Sequence, residues 1–171
     1  MMITTLILLI ILGICVVTDI RERKIYNAVI FPALLLAFII QGIDHGFVGL
    51  KTAGIGFSVG FGLLLIPYFL GGMGAGDVKL LGLIGALKGS SFVMYTAIYM
   101  GMIGALMALG IILFRSGAFT AVLYGVHSAR NGIKVPIKEG VFNSSYSYPY
   151  GVAIAAGALA ALALERWIIL W

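Results

Sequence analysis

The chain has 171 residues, 62% of them hydrophobic and 10% charged, with 11 Lys or Arg against 6 Asp or Glu and a formal net charge of +5. A mean hydropathy of +1.15 leaves too little polar surface to cover a soluble globule of this length, so an integral membrane protein is implied. The basic excess serves topology and anionic lipid rather than nucleic acid, because no basic face with interleaved aromatic residues stands out.

The first apolar run, at roughly 3–18, lacks an early positive region and a small-residue cleavage site, and is read as a retained span rather than a secretory signal. It holds the single cysteine, Cys15, so neither an internal disulfide nor a thiolate metal cluster is expected. Cys15 is read as a packing residue, although it stands four residues before Asp19 and so on the same helical face. Asp19 opens a charged stretch, Asp19-Ile20-Arg21-Glu22-Arg23-Lys24, in which it reads either as a solvated loop acid or as a functional carboxylate at the edge of a membrane span.

Further apolar runs follow at about 28–41, 47–70, 78–87, 91–114 and 149–171. Most approach the roughly 20 residues that a bilayer helix needs, but the fourth has about ten and is read as a short or partly buried span. Alternation of the barrel kind is absent, which leaves helices as the spanning class. The reading is therefore an all-α polytopic protein, a single transmembrane domain over residues 1–171 with about six helices. Small residues such as Gly56 and Gly60 are expected to let helices pack closely.

Before the fourth run stands Gly71-Gly72-Met73-Gly74-Ala75-Gly76-Asp77-Val78-Lys79. Asp77 reads as a helix N-cap, as a catalytic carboxylate, or as both. The glycines are expected to adopt positive φ and leave backbone open to an approaching peptide strand, with Gly74 and Gly76 shaping the site. Lys79 is read as stabilising an ionised Asp77, reaching an anionic group on a substrate, or anchoring the helix at the membrane edge. Between the fifth and sixth runs, a loop at 115–148 carries Phe119, Val122, Val126 and Ile133 at near-helical spacing, which predicts an interfacial amphipathic helix, with Pro136 interrupting any helix beyond it.

Six spans put Arg21, Arg23, Lys24, Lys79, Arg115, Arg130, Lys134 and Lys138 on one side, and Lys51, Lys88 and Arg166 on the other. The positive-inside rule makes the first side cytoplasmic, which places Asp19 and Asp77 together at that edge and loop 115–148 in the cytoplasm. Two carboxylates at one depth are the minimum for aspartyl hydrolysis. One, ionised, takes a proton from water, the other, protonated, polarises the scissile carbonyl, and closeness alone forces them to share a proton.

Gly74-Ala75-Gly76-Asp77-Val78-Lys79 resembles the GxGDxK segment of type IV prepilin peptidases, and Asp19-Ile20-Arg21-Glu22-Arg23-Lys24-Ile25-Tyr26-Asn27 resembles that family's first-aspartate segment, with Tyr26 where proline is usual. Tyr148-Pro149-Tyr150-Gly151 extends the resemblance to the opening of the last span. The resemblance implies six spans, Asp19 and Asp77 as the catalytic dyad, and removal of leader peptides from prepilin-like precursors, with the active site at the cytoplasmic side of the inner (plasma) membrane. The nine residues after the first span and the lone cysteine match the short form, which serves Flp-type pilins or archaeal preflagellin-like precursors, without a methylation domain or its paired CxxC motifs. No cofactor or metal is expected. The signal-peptide-peptidase group also carries GxGD but pairs it with Tyr-Asp, whereas Thr18 precedes Asp19 here. Two other readings remain open: a small proton or ion transporter using the same carboxylates, and a structural membrane subunit with capped helices.

Overall fold

The structure is a computed structural model that describes residues 2–115 and 150–169, with side chains over 3–110 and 150–165. The described residues are helical with short connections: α1 (Met2–Glu22), α2 (Asn27–Phe69), α3 (Ala75–Lys88), α4 (Ser90–Arg115) and α5 (Tyr150–Ile169). The expected amphipathic helix and turns within 116–148 lie outside the described residues. The chain divides into two compact units, one of residues 1–103 with 149–171 and one of 104–148. Of the second, residues 104–115 are the final turns of α4; everything below concerns the first.

α1 is apolar and ends where Arg23 takes a left-handed φ of 53°. The Arg23 N–H closes the last turn on the Asp19 carbonyl at 2.9 Å. The expected loop over 19–27 is therefore helical through Glu22, and Asp19 belongs to the last turns of α1 rather than to a loop.

α2 is helical in its backbone angles except at Gly46, whose φ of 58° and ψ of −140° break the helix in its middle. L side chains rarely adopt that conformation, so glycine is what the position requires. The chain reverses there. Near the start of α2, Asn27 Oδ1 accepts from Lys79 Nζ at 2.9 Å, and further on Gln41 Nε2 donates to the Leu87 carbonyl at 3.1 Å, so the first arm runs alongside α3 in the same sense. Beyond the break, Gly56 lies on Gly85 and Gly60 on Leu81, so the second arm runs antiparallel to α3. The arms, about 28 and 34 Å long at 1.5 Å per residue, form a hairpin around α3.

Close approach explains the small residues. A Cβ at Gly56 would overlap the Gly85 carbonyl, one at Gly85 would overlap the Gly56 carbonyl, and one at Gly60 would overlap that of Leu81. Backbone meets backbone along this contact, as the sequence led one to expect at Gly56 and Gly60. α3 is buried at every residue from Leu80 to Leu87, which suits a helix that is apolar on all sides. α1 and α5 also contact it, and α5 packs on α4 where Gly157 meets the Thr96 carbonyl and the Met100 backbone.

Ile3–Glu22, Asn27–Phe69 and Ser90–Gly110 are long and apolar enough to cross a membrane, and Tyr150–Glu165 is a shorter apolar helix. At about 21 Å, α3 is shorter than a bilayer core, in keeping with the short, partly buried span read from the fourth run.

Candidate active site

Asp19 is carried inward by the pattern of α1. Leu8, Ile11, Leu12 and Cys15 are all buried, at 5% exposure or less, and the same stripe continues one turn further to Asp19, itself 5% exposed. A solvated acid is thus excluded at this position. The N–H groups of Gly151 and Val152, in the first turn of α5, face its carboxylate. Its Oδ2 is buried and makes no hydrogen bond of normal geometry among the described residues.

Asp77 is the third residue of α3, and Gly74 is the N-cap. Asp77 Oδ2 accepts the Gly74 N–H at 3.1 Å, so the carboxylate caps its own helix from the first turn while the residue stays only 8% exposed. A single oxygen makes the cap, which leaves the other free of that bond.

Both aspartates line one cavity of about 320 Å³, together with Arg23, Lys24, Ile25, Tyr26, Asn27 and Gly74 to Gly76. Each is within electrostatic reach of the other. The connection that supplies most of the wall is stapled by Tyr26, whose hydroxyl donates to the Glu22 carboxylate. That bond holds the phenol above its ordinary pKa.

The positive φ expected of these glycines is met at Gly71 and not at Gly74 or Gly76. Gly74 is extended, with φ −80° and ψ 149°, and Gly76 is helical. Left-handed backbone in this connection falls on Gly71, φ 75°, which ends α2 in a Schellman motif: its N–H bonds the Tyr68 carbonyl and the Gly72 N–H bonds that of Pro67, each at 3.0 Å. Gly76 is small because Ile25 presses on it. A Cβ there would stand 2.8 Å from the Ile25 Cβ, so the two connections lock together behind the pocket.

Lys79 turns away from Asp77. Its ammonium bonds Asn27 Oδ1, on the cavity wall, and sits 5.2 Å from the centre of the Phe31 ring, tying α3 to the start of α2 without lining the cavity itself. Among the described residues no three His, Cys, Asp or Glu side chains converge as a metal site.

Ile25, Tyr26, Asn27 and Gly151 were not singled out as site residues by sequence reasoning. Three belong to the segment already quoted for Asp19, and Gly151 to Tyr-Pro-Tyr-Gly, so the signal was present without a role attached. What the geometry offers chemically is a recess that admits water, with two buried carboxylates on its wall. A sequence model of the type IV leader peptidase family matches residues 6–109, a stretch that contains both aspartates. Comparison with curated proteins and with solved structures gave no match.

Proposed function

The chain belongs to the type IV leader peptidase family, and from that premise we propose that it is an intramembrane aspartyl endopeptidase that removes the leader from type IV prepilin-like, Flp-type precursors. One observation carries the aspartyl assignment: Asp19 and Asp77, far apart in sequence and each buried, open onto the same cavity. In the proposed reaction, one carboxylate takes a proton from water as it attacks the scissile carbonyl, while the other, protonated, polarises that carbonyl. As the tetrahedral intermediate collapses, the proton gained from water passes to the leaving amine, and the products are a free carboxylate and a new N-terminus. No covalent intermediate is required.

The six-span arrangement fits the Gly46 reversal, which gives six helical segments among the described residues, with α3 buried along its length. Asp19, Asp77 and the first turn of α5 gather at one end of the unit, whereas Lys88 and Glu165 meet at the other. The basic side chains around the aspartate end support a cytoplasmic active site in the plasma membrane. A precursor would lay its apolar helix against the spans and present the end of its leader to the cavity.

The test is incubation of the purified protein in proteoliposomes with a panel of prepilin and preflagellin-like precursors, with each new N-terminus mapped by mass spectrometry. Leader removal that disappears in both Asp19→Asn and Asp77→Asn is the expected result. Full processing by either variant, or ion flux without any cleavage, would overturn the proposal.

A further inference from the structure

We propose that the first turn of α5 is a third element of the active site, which positions Asp19 through the backbone N–H groups of Gly151 and Val152 and makes Gly151 a positioning residue. The inference rests on the peptidase reading, since orientation of Asp19 matters only if Asp19 reacts.

The two aspartates are held by different means. Asp77 lies at the N-terminus of its own helix, where orphan N–H groups and the positive end of the dipole favour a carboxylate, and Gly74 supplies its bond locally. Asp19 stands in the last turns of α1, against the negative end of that dipole, so its own helix offers no donor and opposes its charge. The missing donors come from elsewhere. Gly151 and Val152 are the second and third residues of α5, whose N–H groups have no intrahelical partner, and both face the Asp19 carboxylate.

Gly151 is fitted to that role by size. Its φ is not among the positive values of the described glycines, so glycine is not needed for backbone conformation. A Cβ there, however, would stand 2.8 Å from Asp19 Oδ2, 3.0 Å from its Cγ and 3.1 Å from its Cβ. Any other residue pushes the carboxylate away. Gly151 lies against Oδ2, which is buried and has no hydrogen-bond partner among the described residues. α5 can serve as a fixed abutment because it is tied along its length, by Gly157 against α4 and by the Glu165 bond to Lys88 at 3.2 Å.

The experiment uses the full chain in proteoliposomes with a purified prepilin precursor that the wild-type protein cleaves. Gly151→Ala is expected to lower kcat by about 10²-fold, the scale of a misplaced reacting group, with KM held within about twofold. Val152→Pro replaces one N–H in the first turn, where proline is tolerated, by a ring methylene that cannot donate to Asp19, and is expected to cause a smaller loss in kcat. Wild-type kcat in either variant, or a loss confined to KM, overturns the assignment. An activity-independent arm follows melting temperatures. Gly151→Ala should lower the melting temperature by several degrees in the wild-type background and by clearly less in Asp19→Ala, where the obstructing carboxylate is gone. Equal decrements in both backgrounds overturn the contact whether or not peptide is cut. Activity in Gly151→Ala alongside inactive Asp19→Asn sinks the positioning role alone, whereas activity in Asp19→Asn sinks the peptidase reading itself.

Discussion

At the N-terminal end of α3 a buried carboxylate has a single backbone N–H for company and a second carboxylate across the cavity, whereas at the C-terminal end the Lys88 ammonium is matched by Glu165 at 3.2 Å and by the Phe92 ring at 5.4 Å. One helix thus carries an under-neutralised site at one end and a neutralised anchor at the other. Burial of charge is costly in both places: at the anchor a direct ion pair offsets it, whereas at the aspartate end Arg23 and Lys24 share the cavity wall without a direct bond to either carboxylate among the described residues. Retained ionisable groups without such compensation are the ones to expect in chemistry.

The sharpest way to break this contrast is to neutralise each end in turn. Asp19→Asn or Asp77→Asn should reduce leader removal by at least about 10³-fold with the protein still inserted, as read by the yield of the new N-terminus; an equal loss in Glu165→Gln would erase the distinction between the ends. Next in size is the contact that holds α3 in place. Gly56→Ala should destabilise by about 3 kcal/mol in melting or denaturant measurements, because its Cβ meets backbone rather than a movable side chain.

Glu165→Ala should cost about 2 kcal/mol, less than a fully buried pair, since Glu165 is 31% exposed while Lys88 is 7% exposed. Turnover per folded molecule should be unchanged, and a fall in kcat below the melting transition would tie the anchor to the chemistry. Lys79→Ala should cost about 1 kcal/mol through the lost bond to Asn27, with activity falling less than about tenfold; a loss matching the aspartate variants would move Lys79 among the reacting groups. Smallest is Arg23→Gly, which should stabilise by up to about 1 kcal/mol by removing a side chain from left-handed backbone. A destabilised variant would show that the Arg23 side chain holds the connection in place.

Much of the site was legible because it is local. The spacing of Leu8, Leu12, Cys15 and Asp19 turns a carboxylate inward, and Asp77 three residues after Gly74 is already a capping geometry. The same reasoning could have placed Lys79, since residues two apart on a helix do not face one another, and its ammonium indeed goes to Asn27. What was not legible depends on partners distant in sequence. Gly76 is small for the sake of Ile25, and Gly151 for the sake of Asp19, and nothing within a few residues of either announces it. The Gly46 reversal was hidden for another reason. The gap between the apolar runs at 28–41 and 47–70 suggested a loop, yet Asp44 and His45 stay helical and exposed, and one residue makes the turn.

The brevity of α3 bears on how such a protein comes to be assembled. Fourteen residues fall short of the roughly 20 that partition into a bilayer by themselves, and Asp77 in the first turn makes the segment a still poorer candidate for independent insertion. The flanking arms of α2 offer what lipid does not: a groove of small residues, with Gln41 ready to bond the Leu87 carbonyl at the helix end. On the two-stage picture of membrane folding, α3 is then a guest of a hairpin already in place, and the carboxylate pair exists only after biogenesis has passed that step.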